Sequence, residues 1–412
     1  MIPRARAVAL PRHSSPAGPG HVPSTTAAQL ACAAVVVHSR PRELFAFPRR
    51  FATLPGMKAT AALAALFTML MAETRSGCAP ASRPLSIETT SVPLAANADT
   101  VRVGKLLYRG GLQMDSGEAA FGGLSAIVVS ADGSRFVAVT DESHWILGRL
   151  TYEDGNLSGA TGERIAPLLA PDASPVRDKP TALRGKPTAL RGKDGDAEGL
   201  AATSAGLDGD LFVSFEGDHR LWRYAFGRDG VLAVPTGMPL PADARSASPN
   251  EGIEGLTLLR DGRLLAMSER FRDEARRFRA WLMPAQHVDG NVANASATEI
   301  AEPLALAPLE PFSLTDVRQL DNGDLLTLER RYHPGSGVGM QMRRIPASLV
   351  HGGAVLDGEV VAELGAGFTI DNMEGLSVRR GESGETLVYV VSDDNFNAPA
   401  QRTLLMMFEL ED

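Results

Sequence analysis

Asp371-Asn-Met-Glu-Gly-Leu376 is the stretch whose recurrence decides the fold. Its last three residues return in Ala197-Glu198-Gly199-Leu200 and in Ile253-Glu254-Gly255-Leu256. Phe121-Gly122-Gly123-Leu124 and Pro311-Phe312-Ser313-Leu314 read as copies that lack the acid. After each copy comes a β-rich run, a turn, and a second apolar run that ends on an acid. Those second runs are Phe136–Asp141, Leu211–Glu216, Leu264–Glu269, Leu325–Glu329 and Leu387–Asp393. One supersecondary unit is repeated.

The aligned leucines Leu124, Leu200, Leu256, Leu314 and Leu376 lie 56 to 76 residues apart, and the two chain ends together supply one more interval of that size. A period near 60 with several short strands in each unit marks β-propeller blades. Third strands are expected at Trp145–Tyr152, Leu221–Phe226, Arg279–Met283, Met340–Ile345 and Thr403–Leu410, with fourth strands at Glu163–Leu169 and Gly358–Glu363. The fold class is therefore all-β, a single closed propeller over residues 99–412. The spacing gives five blades, with six as the alternative if the long first interval hides one. The arithmetic of the ends requires an N-terminal strand, Val101–Tyr108, to close the last blade and remove the open edges of a linear array.

Composition agrees with this. Gly 41 and Pro 27 suit a turn-rich all-β chain. Both cysteines, Cys32 and Cys78, precede the repeats, so the repeat region has neither a disulfide nor a cysteine zinc site. Residues 1–78 carry nine Lys/Arg against two Asp/Glu, a balance of +7 that leaves about −15 of the total −8 for residues 79–412. An acidic body argues against nucleic acid as a partner, because a phosphate backbone requires a positive footprint.

Ahead of the repeats the chain changes character twice. Residues 1–56 are rich in Ala, Pro, Ser and Arg without periodicity and read as a leader that is disordered or upstream of the true start. Met57-Lys58 then opens the uncharged run Ala59–Ala72, long enough for the core of a signal peptide and short for a membrane span. Residues 57–78 are expected to be a signal peptide, with the product exported to the periplasm or cell envelope. Ser76-Gly77-Cys78 resembles the end of a lipobox, although Arg75 stands where an aliphatic residue belongs, so Cys78 is a candidate lipid anchor. Residues 79–98 are expected to be a flexible mature N-terminus. Lys179–Gly185 is duplicated at once as Lys186–Gly192, which reads as a tandem insertion in an exposed loop.

In a propeller the first strand of each blade lines the axis, so Glu198, Glu254 and Glu374 should gather at one mouth of the channel. Like charges held that close call for a cation, an arginine or shared protons. Oxygen-only donors point to a hard cation, Ca²⁺ before Mg²⁺ or Mn²⁺, and Asp196 adds another carboxylate two residues before Glu198. The competing reading has each glutamate capping its own blade. The acids that end the second runs form a second ring, whose end of the axis the sequence leaves open. Near them stand Arg270, Arg330, Arg331 and His333, an anion clamp with a proton-transfer group, or else surface ion pairs between blades. Gly-x-Ser-x-Gly, His-Glu-x-x-His and phosphate-loop motifs are absent, which excludes the usual α/β serine hydrolase.

Glu198-Gly-Leu, Ile253-Glu-Gly-Leu-Thr, Met373-Glu-Gly-Leu-Ser, Leu264–Arg270 and Ser392-Asp-Asp-Asn-Phe396 together resemble the phytase-like β-propeller domain family, described by esterase-like activity of phytase. The resemblance covers roughly residues 99–410. It implies an exported bacterial propeller that hydrolyses phosphate or carboxylic esters, with calcium held among carboxylates. Gly122 and Phe312 depart from that pattern at the acidic position in two blades. The expected function is thus a calcium-dependent hydrolase of small anionic esters, monomeric, with metal at Asp196, Glu198, Glu254 and Glu374. The alternatives are a non-catalytic envelope propeller with structural calcium and a sugar-lactone hydrolase.

Overall fold

The computed structural model describes residues 82–176, 195–203, 206–285 and 301–411. The expected leader, signal peptide, lipobox cysteine and tandem duplication lie outside the described residues. Five sheets, antiparallel but for one short parallel pair at the edge of the third, stand in a ring, and each innermost strand touches the innermost strand of the next sheet, the fifth touching the first. The five innermost strands are Leu124–Val129, Ala197–Ala202, Ile253–Leu258, Ser313–Gln319 and Asn372–Arg380. This is a five-bladed propeller.

The continuous apolar runs of the second strands follow from burial on both faces. Side chains alternate across a strand, so successive residues enter different interblade layers. Leu211, Val213 and Phe215 pack toward the first blade, while Phe212 packs toward the third. Leu387, Tyr389 and Val391 face the first blade, while Val388 and Val390 face the fourth. Five apolar layers result, one between each pair of neighbouring blades.

Closure occurs as expected, with a shift. Leu106–Asp115 pairs with Leu404–Leu410, Leu106 opposite Leu410 and Gln113 opposite Leu404, so the N-terminal strand is the fourth of the last blade. The expected strand, Val101–Tyr108, overlaps it only at its end, because Arg102–Val103 folds back on Leu107 and Leu106. Gly110-Gly111 falls at an irregularity in the pairing and interrupts the alternation that would have marked Arg109–Asp115 as a strand. Residues 82–98, expected to be flexible, instead add edge strands: Arg83–Pro84 on Ile165 and Arg164, and Glu88–Ser91 on Asp115–Leu112.

Each blade carries a β-bulge at the same place, and the bulge fixes the true alignment of the repeats. The extra residue is Ser125, Glu254, Thr315 or Glu374 in four blades, and Glu198-Gly199 lies opposite the single Ser214 in the second. The equivalents of Glu-Gly-Leu are therefore Ser125-Ala126-Ile127 in the first blade and Thr315-Asp316-Val317 in the fourth. These lie three residues after Gly122-Gly123-Leu124 and Phe312-Ser313-Leu314, the expected copies. The slip arises because Leu124 and Leu314 occupy the place of Ile253 and Met373, apolar residues that precede the glutamate. The glycine of the repeat marks the closest approach of adjacent inner strands. A Cβ at Gly199 would lie 2.6 Å from the Glu254 carbonyl oxygen, and one at Gly375 would lie 2.8 Å from the Ala126 Cα.

In the fourth blade the glycine position is Asp316, which is fully buried. Its carboxylate accepts hydrogen bonds from the backbone N–H of Leu376 at 2.8 Å and of Val317 at 2.7 Å, and pairs with Arg318 at 2.6 Å. Arg318 in turn donates to the carbonyl oxygens of Leu256 (2.8 Å), Val317 (2.7 Å), Leu200 (2.9 Å) and Ile127 (3.2 Å). Ile127, Leu200, Leu256, Val317 and Leu376 are the same position in five blades. One ion pair binds all five at the axis.

Removing one partner of a buried ion pair strands the other charge and typically costs about 3–5 kcal/mol. Arg318→Leu is expected to lower unfolding stability by about that much in urea titration, with Arg318→Lys recovering part of it. A midpoint unchanged in Arg318→Leu would show that the interblade layers alone hold the ring.

Candidate functional site

Because neighbouring strands are antiparallel, the inner strands begin where the second strands end, and both acidic sets open on one mouth. The bulge residues form an inner ring of Ser125, Glu198, Glu254, Thr315 and Glu374. An outer ring comes from the ends of the second strands: Asp141, Glu216, Glu269, Arg330 and Asp393. Asp141, Glu216 and Glu269 each donate their backbone N–H to the residue just before the inner strand, at Gly123, Asp196 and Gly252. Arg330 and Asp393 lie opposite Ser313 and Asn372 in the same register. All but Thr315 line a cavity of ≈ 1070 Å³. Thr315 turns into the sheet and donates to the Leu328 carbonyl at 3.3 Å.

The register replaces one expected member of the outer ring. Glu329 lies one residue before the ring position, 1 % exposed, where it pairs with Arg343 at 2.5 Å and accepts from Gln341 at 2.7 Å and Thr327 at 2.8 Å. Its carboxylate is a structural element of the fourth blade. Arg330 takes the ring position, so four carboxylates and one guanidinium surround the mouth. Strand alternation sorts its neighbours. Arg330 and Tyr332 line the cavity. Arg331 instead places its guanidinium 5.4 Å from the Phe312 ring centre and donates to Ser336 Oγ at 3.2 Å. His333, expected as the proton-transfer group, is exposed outside the cavity lining, with Nδ1 accepting the Gly335 N–H at 3.1 Å. Arg270 does reach the mouth, 2.6 Å from Glu269 Oε1 and 3.2 Å from Ser313 Oγ.

The four expected metal ligands divide into two groups. Asp196 and Glu198 join Glu216, each bringing one carboxylate oxygen within 4.8 Å of the others. Oxygen ligands about 2.3–2.6 Å from a calcium ion lie at most about 5 Å apart, so the three fit one ion. Glu216 was read in the second acidic ring and not as a ligand. Its Oε1 also accepts the Gly252 N–H at 2.7 Å, which fixes the side chain between two blades. Glu254 and Glu374 belong to the other side of the mouth, with Glu269, Asp393 and Arg330. Arg330 Nε lies 3.0 Å from Glu374 Oε1, and Nη2 lies 3.6 Å from Glu269 Oε1. Asn372 donates to Glu374 Oε1 at 2.7 Å and to Asp393 Oδ2 at 3.3 Å.

Charge at this density shifts several of these groups. Burial, reinforced by Asp196, Glu216, Glu254 and Glu374, holds Glu198 well above the usual carboxylate range. Burial does the same to Glu254, with Glu269 and Glu374 adding to it and Arg330 opposing it. Glu374 is pushed up to about 8 by burial against the pull of Arg330, and Asp393 to about 6 by burial. Burial raises Glu269 against Arg330 and Arg270. Burial weakens Arg330 as a cation, but Glu374, Glu254, Glu269 and Asp393 outweigh it and raise its pKa.

Phe396 is a cavity residue that the sequence did not announce. It and Asn395 both have positive φ (48° and 49°), a conformation unusual for consecutive non-glycine residues and held here by side-chain bonds. Asp393 Oδ1 accepts the Asn395 N–H at 2.6 Å, and Asp394 Oδ1 accepts those of Phe396 at 3.1 Å and Gly123 at 2.8 Å. The ring covers Gly123, where a Cβ would lie 2.6 Å from Phe396 Cε2. Gly122-Gly123, read as a defective acidic copy, is the seat of this aromatic ring.

The fold and this mouth define a β-propeller with a carboxylate-lined axial site. The chain belongs to the phytase-like family, described as esterase-like activity of phytase, whose profile matches residues 119–396. No curated protein matches the sequence. Among solved structures, a protein of unknown function from Dyadobacter fermentans is 10% identical (TM-score 0.35) and covers 81% of this chain and 100% of its own. The β-propeller domain of Cps50 (Swd1) from Myceliophteria thermophila is 12% identical (TM-score 0.32) and covers 79% and 99%. The WD40 repeats of RRP9 are 9% identical (TM-score 0.34) and cover 78% and 100%.

Glu374 and Asp393 bind protons more tightly folded than unfolded, so stability falls as pH rises from about 4 through about 8. The melting temperature of chelator-treated protein should drop between pH 5 and pH 8, with a shallower drop in Glu374→Gln. A flat or rising profile would mean that these carboxylates are already compensated.

Proposed function

We propose that this protein is a divalent-cation-dependent hydrolase of phosphate or carboxylic esters, with calcium the first candidate ion. The observation that carries the reading is the convergence of the buried Asp196 with Glu198 and Glu216, two residues that line the cavity also lined by Arg270. A hard cation held by these three residues would polarise the ester oxygen and acidify a bound water. Arg270, whose side chain is 49% exposed, docks the anionic part of the substrate at the mouth, as a guanidinium suits phosphate and carboxylate. Glu254 replaces His333 as the proton-transfer group. It lines the cavity, and burial, with Glu269 and Glu374 adding to it, holds its pKa well above the usual carboxylate range. Tyr332 and Phe396 offer ring faces to the uncharged part of the ester.

The chain's early segments extend the proposal to location. Met57-Lys58 with Ala59–Ala72 suits a signal peptide, and Cys78 a lipid anchor, which would place the mouth in the periplasm or at the envelope. No helix among the described residues is long and apolar enough to cross a membrane. A second reading, a propeller that holds its ligand without turning it over, draws on the absence of His and Lys from the cavity lining among the described residues.

Calorimetric calcium titration, run beside hydrolysis of aryl phosphate, aryl acetate and lactone substrates, separates the two. Glu198→Gln and Glu216→Gln are each expected to weaken calcium binding by about 10- to 100-fold and hydrolysis in step. Calcium binding without turnover of any substrate would favour the ligand-binding reading. The absence of heat and of a thermal shift with any divalent ion would remove the metal from both.

A further inference from the structure

We propose that the cavity at the opposite end of the axis is an anion site, which seats the carboxylate or phosphate group of a small organic ligand on Arg379. The inference owes nothing to the cation reading of the acidic mouth and goes beyond it, to a second site on the far side of the Arg318 and Asp316 pair.

This cavity, of ≈ 580 Å³, opens where the inner strands end, and all five blades contribute to its lining. Its arginines are not equally engaged. Arg318 pairs with Asp316 at 2.6 Å, Arg135 with Asp208 at 3.2 Å and Arg380 with Asp321 at 3.2 Å. Arg379, half-buried in the same lining, has no carboxylate partner among the described residues. Its Nε donates to the Tyr389 hydroxyl at 2.9 Å and its Nη1 to the Arg380 carbonyl at 3.1 Å, and the Tyr152 hydroxyl takes a third hydrogen bond. Burial holds the Tyr152 hydroxyl well above its usual pKa, so it stays un-ionised and supplies no countercharge. Those partners leave N–H groups of the guanidinium fork for an oxyanion, the ligand whose geometry it matches.

The guanidinium is also held in place ahead of any ligand. Tyr152 spends its proton on the Gly133 carbonyl at 2.8 Å, so Tyr389 donates across the 2.9 Å contact between the two hydroxyls, and both oxygens are left to accept from Arg379. A Cβ at Gly133, where φ is +77°, would lie 2.6 Å from Arg379 Nη2, so glycine opens the seat. A donor fixed in this way loses little freedom on binding.

Two hydroxyls of the lining have protons to give. Thr203 Oγ1 is buried without a hydrogen-bond partner, and Ser377 Oγ accepts the Val129 N–H at 3.0 Å while donating to no described group. Buried donors left in this state are rare, and the oxygens of an anion would answer them. The acids of the same lining are already engaged, Asp208 and Asp321 by arginine and Asp132 by the hydroxyls of Ser130 at 2.6 Å and Ser134 at 2.8 Å. Val128, Ala201, Leu207, Leu258 and Val378 supply apolar wall, which suits a ligand with an apolar body behind its charged group.

The test uses the whole protein treated with chelator, so that no divalent ion carries an anion into the acidic mouth. Isothermal titration with benzoate and with phenylphosphonate is expected to show saturable binding of at least one of them to wild type. Arg379→Gln should weaken that binding by about tenfold or more, as loss of a charge-assisted hydrogen bond implies. The tighter of the two probes names the head group. Wild type that binds neither at millimolar concentration, or Arg379→Gln that binds as wild type does, overturns the proposal. If Arg379→Gln does not fold, wild type decides alone, because the bound probe should slow modification of Arg379 by phenylglyoxal, read residue by residue in a mass spectrometer. Protection of Arg270 without protection of Arg379 would put the anion at the acidic mouth and overturn the proposal as well.

Discussion

Arg318 reaches across the axis of the ring, and its guanidinium meets the backbone carbonyls of four inner strands while Asp316 takes the N–H of the fifth. A propeller gathers five strand segments around a channel too narrow for side chains from all of them. Glycine or alanine at Gly199, Gly255, Gly375 and Ala126 keeps four of them slim. The fourth blade alone spends its position on a charge. Carbonyls that would otherwise point at one another across the axis find a shared donor, and the unpaired backbone groups that the bulges create are answered in the same place. The same pair closes the channel, so the acidic mouth and the opposite cavity, lined by Arg318, Arg379 and Arg380, are separate spaces.

The mouth is a consequence of that packing. A bulge re-aims its extra side chain toward the axis, and wherever the repeat carries glutamate there, a carboxylate is delivered to the same few ångströms. Association of the blades therefore concentrates negative charge, at a cost that the interblade apolar layers must exceed. Part of that cost is met by the proton that Glu374, pushed up to about 8, retains at neutral pH, and part by Arg330.

Much of this was legible in the sequence. Glu-Gly-Leu recurs because the bulge, the close approach and the buried leucine are one geometric requirement, and three copies suffice to count blades. Closure by the chain's own start followed from the lengths of the two ends. What stayed hidden was register in the first and fourth blades, where Leu124 and Leu314 occupy the position before the bulge residue and Ile127 and Val317 the position two after it, so that apolar pattern alone matches in two ways. Asp316 and Arg318, the centre of the fold, belong to no repeated pattern that would have marked them. Glu329 and Arg330 exchanged roles for want of one residue of register, and His333 fell on the wrong side of its strand with them. The Asp196, Glu198 and Glu216 group needed two strands brought side by side, which spacing along one strand does not show. Phe396 entered only as the last residue of a family motif with no role attached, since its signal is the pair of glycines beneath it in a different blade.

Closure of the last blade by Leu106–Asp115 also orders events in time. Its partner, Leu404–Leu410, is the last strand among the described residues, so the fifth sheet is complete only when the two ends of the fold have met. The contacts that complete the ring are separated by nearly the whole length of the fold, the kind of pairing that slows folding and leaves an exposed edge while it waits. The carboxylates are thus forced together only at the last step, when the ring snaps shut.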